Sequence, residues 1–239
     1  MAELLLPAAA SPTDRRGFFK RFGAGAAAVG LVASGCDSGD DEDNNGAAVT
    51  LDFSSDVGVL NYAYALEQLE AAFYAQVVAN SSFGTTFSAA EQSVLRDLAA
   101  HEAIHVAFLR SALGSSAVAV NVDLSSINFT NRATVLATAR TFEDLGVAAY
   151  NGAGKYLTTP ANLVAAGRIV SVEARHASAI RDLILANVRS GATVGEAGGG
   201  LPEVVVANAL EASLEPSVVL SEQAAGAFIT NVITVRNAA

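Results

Sequence analysis

The chain has 239 residues, 51% of them hydrophobic, and its 14 Lys and Arg against 24 Asp and Glu leave a formal net charge of −10. That length supports one domain with a full core plus extensions, and an acidic chain with no basic stripe beyond residue 21 excludes a nucleic-acid binder that works through phosphate contacts. The single cysteine excludes an internal disulfide and a cysteine-built zinc site, while five prolines and no tryptophan suit a helical protein.

Residues 1–36 read as an address rather than as fold. In TDRRGFFK (13–20), Arg15 and Arg16 precede two phenylalanines and a lysine, and the Ala/Gly/Val run that follows is shorter than the roughly 20 apolar residues of a membrane-spanning helix. The run ends VASGC, with small residues directly before Cys36. This segment resembles a twin-arginine export signal closed by a lipoprotein processing box, although Ala33 stands where such a box more often carries Leu. The resemblance implies export to the periplasm or cell surface and a membrane anchor through lipid on Cys36. DSGDDEDNNGAA (37–48) is acidic, without apolar period, and residues 37–54 are expected to form a disordered tether.

Residues 55–190 read as four helices. The first is expected from about Ser55 to Val78, with Leu60, Ala63, Glu67, Glu70, Tyr74 and Val77 on one stripe at three- and four-residue spacing. Ser88 and Glu91 form a capping-box start for a second helix to about Leu113, whose stripe carries Leu95, Leu98, Glu102, His105 and Leu109. The connection over 114–130 is long for antiparallel neighbours and suits a crossover after which the third helix runs parallel to the second. That third helix starts near Thr130 or Asn131 and lines up Leu136, Ala139, Glu143, Gly146 and Tyr150, and Thr159-Pro160 opens a fourth carrying Ile169, Glu173, His176 and Ile180. Beyond residue 190 a Gly-rich break leads to 201–216, which could form a short helix, and to a further turn or two in 217–239; the Val/Ile runs of this tail could instead form a strand.

The chain thus reads twice as E-x6-Y followed by E-x-x-H: Glu67 and Tyr74, then Glu102 and His105; Glu143 and Tyr150, then Glu173 and His176. Six ionisable side chains occupy core register, where burial and mutual repulsion of four carboxylates would be costly unless neutralised. Two metal ions would do this, and four carboxylates with two imidazoles suit iron, or manganese, better than zinc or copper. One Glu from each of two helices and Glu-x-x-His from each of the others is the ligand count of di-iron and di-manganese bundles. His101 lies about 100° round the helix from Glu102, which puts it behind the site or on the surface. Arg175 reads as a solvated or ion-paired neighbour.

On these residues, the stretch 55–190 resembles the ferritin-like superfamily, similar in ligand pattern to bacterioferritin and rubrerythrin and closer to the exported ferritin-like proteins described as desiccation-related. The resemblance implies an all-α, ferritin-like four-helix bundle with a long crossover and a short C-terminal extension (191–239). It also implies terminal carboxylates at Glu67 and Glu143, bridging carboxylates at Glu102 and Glu173, and His105 and His176 completing one metal each. Glu70 is the alternative to Glu67, which the shared E-x6-Y spacing favours. Tyr74 and Tyr150 match the aromatics that follow the ligand glutamate, as core rings or as redox groups. No rubredoxin-type cysteines are present. Two functions follow: a di-iron oxidoreductase or ferroxidase reacting with O2 or peroxide, or a non-enzymatic surface scaffold with a structural metal. Mineral storage ranks lower, because a lipid tether sits awkwardly with a closed cage.

Overall fold

The computed structural model describes residues 48–189, 205–206, 210–221 and 224–238; Arg15, Arg16, Cys36 and the acidic stretch to residue 47 lie outside these. Four long helices dominate the described residues: α1 (Asp56–Ala79), α2 (Ala89–Leu113), α3 (Arg132–Ala153) and α4 (Pro160–Arg189). Local chemistry starts each where the sequence signals it. The Ser88 hydroxyl accepts from the Glu91 N–H at 3.4 Å while the Glu91 carboxylate accepts from the Ser88 N–H at 2.8 Å, satisfying two donors that the helix start leaves free. Asn131 caps α3 by accepting from the Thr134 N–H at 3.0 Å. The Asp56 carboxylate, in the first turn of α1, accepts from the Thr158 and Thr159 N–H groups and from the Asn162 amide at 2.8, 3.0 and 2.8 Å. The backbone bond from Thr158 leads the contacts that hold Asp56 well below the usual carboxylate range, and together they tie the starts of α1 and α4 at one end of the bundle.

The helices pair as hairpins, α1 with α2 and α3 with α4. At one end of the bundle the N-terminal half of α1 meets the C-terminal halves of α2 and α3 and the N-terminal half of α4. Hence α2 and α3 run parallel, as the long connection implied, and α1 runs antiparallel to α3. Two buried or half-buried amides stitch that connection along α1. Asn61 donates to the Ser116 carbonyl at 2.9 Å and accepts from the Val118 N–H at 2.9 Å, and Gln68 does the same with the Val118 carbonyl and the Val120 N–H, both at 3.2 Å.

The N-terminal end of the domain departs from expectation. The tether does not reach residue 54: β1 (Val49–Asp52) pairs in parallel with β4 (Ile233–Arg236), in register from Val49 with Ile233 to Asp52 with Arg236, and buries Val49, Leu51 and Phe53. Three alternating apolar residues are too few to signal a strand, and the partner lies at the far end of the sequence. Within 201–216, which left a short helix or a strand open, the described residues form β2 (Val205–Val206) and β3 (Leu210–Glu211), an antiparallel pair, before one helical turn at Pro216–Val219. β-branched residues favour this extended pairing. The extension then covers the bundle, with Phe228 edge-on to Phe142 at 5.1 Å and the Leu214 N–H donating to the Ala148 carbonyl at 3.0 Å. That approach requires Gly152, where a Cβ would sit 1.8 Å from the Leu214 oxygen. No described helix is long and apolar enough to cross a membrane.

Candidate metal centre

Halfway along the bundle the four helices bring together all six side chains of the doubled pattern. Glu67, Glu102, Glu143 and Glu173 are fully buried, and His105 and His176 nearly so. Their atoms form two groups, each within 4.8 Å and each able to hold a metal ion: Glu67, Glu102, His105 and Glu173, and Glu102, Glu143, Glu173 and His176. Glu102 and Glu173 belong to both. In the first, His105 Nδ1 lies 2.9 Å from Glu173 Oε1, 3.1 Å from Glu67 Oε2 and 3.4 Å from Glu102 Oε2. In the second, His176 Nδ1 lies 2.8 Å from Glu102 Oε1, 3.4 Å from Glu143 Oε2 and 3.6 Å from Glu173 Oε2. Each shared carboxylate therefore offers one oxygen to each side.

The residues fit metal ions. Both oxygens of Glu102 and Glu173, Glu143 Oε2 and His176 Nδ1 are buried, close to one another, and without a hydrogen bond of acceptable geometry. Orphaned polar atoms of this kind are rare in a stable interior. Here they converge on common points instead of on each other, and a cation at each point would satisfy them.

Protons carry the balance when no metal is bound. Burial, reinforced by repulsion from Glu173 and Glu102, drives Glu67 well above the carboxylate range despite the His105 contact, and Glu143 to about 8 despite His176. Burial also works to raise Glu102, but the close approach of His105, His176 and Glu67 outweighs it and holds that carboxyl at about 2. For both imidazoles, burial opposes the charge and the surrounding carboxylates overcome it, raising each to about 12.

The tyrosines cross between hairpins. Tyr74 donates to Glu143 Oε1 and Tyr150 to Glu67 Oε1, both at 2.5 Å. Seven residues of helix advance about 10.5 Å, so each hydroxyl is carried away from the glutamate of its own helix, and the antiparallel course of α1 and α3 brings it level with the other's. The repeated spacing was visible in the sequence; the exchange of partners was not. Burial first, then the adjacent carboxylate, keeps both phenols protonated.

Two further residues distinguish the halves. His101 is exposed, yet its Nδ1 lies 3.0 Å from His176 Nε2 and the rings stack at 5.2 Å, so it is both at the surface and directly behind the site. Glu70 is buried but contributes to neither group, and burial and four neighbouring carboxylates push it upward. It fits because Gly146 faces it: a Cβ there would stand 2.9 Å from Glu70 Oε1. Gly146 was visible as a core-register position, but nothing in the sequence marked it as room for an acid on another helix. Arg175 is exposed, as expected.

Two helical hairpins joined by a long crossover, with carboxylates and imidazoles converging at mid-bundle, define a ferritin-like architecture. The ferritin-like domain family matches residues 55–186, more than half of the sequence, and the chain belongs to that family. No curated protein matches it.

Proposed function

We propose that the centre holds two metal ions, iron in preference to manganese, and acts as an oxidoreductase toward O2 or peroxide. In this reading Glu67 and His105 would hold one ion, Glu143 and His176 the other, and Glu102 and Glu173 would serve both. The sharing of Glu102 and Glu173 between two four-residue groups, one oxygen to each side, is the observation that carries it. Bound as Fe(II), the pair would supply two electrons, with which O2 and two protons give hydrogen peroxide, or peroxide and two protons give two waters.

The chain's own residues prepare that chemistry. By taking up Oε1 of Glu143 and Glu67, Tyr74 and Tyr150 leave each Oε2 turned toward its imidazole. His101 engages Nε2 of His176, which fixes the ring with Nδ1 inward, as outer partners of metal-binding histidines do. Both tyrosines stand one carboxylate from the metal positions, a placement suited to passing an electron and a proton as well as to holding the carboxylate.

The reading includes the address: export directed by Arg15 and Arg16, and lipid anchoring at Cys36 in the periplasm or at the cell surface. A buried metal pair is a reason to fold before crossing a membrane. Arg15→Lys with Arg16→Lys should leave folded, metal-containing protein in the cytoplasm, and normal export of that variant would refute the link. Protein expressed with iron should hold about two ions per chain, and adding air to the Fe(II)-loaded form should oxidise them. Zero uptake by folded protein refutes the site, and metal that never changes oxidation state would leave a structural scaffold.

A further inference from the structure

Beside Tyr150, at the end of the bundle where α1 and α4 begin, an apolar cavity of about 40 Å³ opens between all four helices. Leu66, Leu109, Ala166 and Ile169 supply much of its wall, and alanines leave the void. Three wall residues carry side-chain polar atoms. The Asn162 amide is engaged with Asp56 and the Tyr150 hydroxyl with Glu67, while the Tyr62 hydroxyl is buried with no partner among the described residues. A buried water needs two to four polar partners and roughly 10–15 Å³. The cavity has the room, but one unengaged hydroxyl is fewer partners than an ordered water needs, so an apolar guest is favoured there even though the wall opens toward exposed Phe108 and Ala112. It is also far below the several hundred Å³ of an organic ligand site. Phe108 and Ile169 separate it from an apolar groove that reaches His105. Cavity and groove thus end on Tyr150 and His105, both hydrogen-bonded to Glu67. Around Tyr74 aromatic rings pack instead, with Phe73 5.1 Å from the Tyr74 ring and 5.2 Å from Phe142.

We propose that this cavity is a holding site for dioxygen, delivering it to the Glu67–His105 side of the centre. The inference rests on the di-metal reading and selects within it: a small apolar gas partitions into an apolar space, whereas hydrogen peroxide would lose most of its hydrogen bonds to water there. Xenon, a monatomic apolar probe, tests the cavity on metal-free crystals. Xenon should occupy it in the parent protein and be displaced in Ala166→Leu. In the iron-loaded protein the same variant should raise the apparent KM for O2 several-fold, with the metal content and the rate with peroxide kept. Should Ala166→Leu fold poorly, Ala112→Leu on the exposed side of the wall carries the same test. Absence of xenon, or xenon displaced with the O2 dependence unchanged, overturns the holding site while leaving the di-metal reading intact. Failure to take up metal at all overturns the destination, whatever xenon does.

Discussion

The two halves of the centre come from one repeated pattern and are built differently around it. On the α1–α2 side, His105 and Tyr150, both bonded to Glu67, border apolar open space, and His105 has no second histidine at its back. On the α3–α4 side, the Tyr74 that bonds Glu143 is packed by Phe73, which also packs on Phe142, and His176 is backed by His101. At the positions three residues after Glu67 and Glu143 stand Glu70 and Gly146, an acid and the hole that admits it. A ligand frame can therefore be symmetric while its surroundings are not. In the proposed centre the inner residues would answer to the metal, while the outer ones set different surroundings for each half.

Removing what the halves share should have the largest effect. Glu102→Ala should take uptake from about two ions per chain to about none, whereas Glu143→Ala should spare the His105 side, measured as metal per folded chain. Equal losses would mean that the halves are not separable. Glu91→Ala is the folded control with full metal content. It removes the Ser88 box and the contact to Arg132, and should cost about 1–2 kcal/mol in thermal or denaturant unfolding.

Acidity should act oppositely on empty and loaded protein. Glu143 ionises near 4.5 when unfolded and at about 8 when folded. The folded state therefore holds a proton that the unfolded chain has released, and metal-free stability falls as pH rises between those values. The imidazoles, raised to about 12, have the same sign above their ordinary 6.5. Glu102, lowered to about 2, removes stability only below 4.5. Metal must displace these protons, so its affinity rises with pH, about tenfold per unit for each proton released. The gap in Tm between loaded and empty protein should thus widen from weakly acid to weakly alkaline buffer; a constant gap would contradict the protonated cluster.

His101→Ala tests the unequal backing. It should weaken the His176-side ion by roughly 10- to 100-fold and leave the other nearly unchanged, read by competition with a chelator. The smallest effect is expected at Glu70→Gln, which should retain both ions, since Glu70 offers no atom to either group, while Glu67→Gln should lose one. Retention by Glu67→Gln and loss by Glu70→Gln would exchange their roles.

Helical periodicity, the Ser88 and Asn131 caps and the doubled E-x-x-H determined four helices and six inward-facing donors from sequence alone, because these are signals carried within a turn or two of one helix. The parallel course of α2 and α3 followed from the length of their connection. Tertiary structure alone decided which residues meet across helices. Tyr74 finds Glu143, Tyr150 finds Glu67, His101 finds His176, Glu70 finds the space over Gly146, and β1 finds β4 from the far end of the chain. None of these pairs shares a local period. Each depends on the direction, height and rotation of one helix or strand against another, which are set by packing of the whole core and leave no mark at either residue.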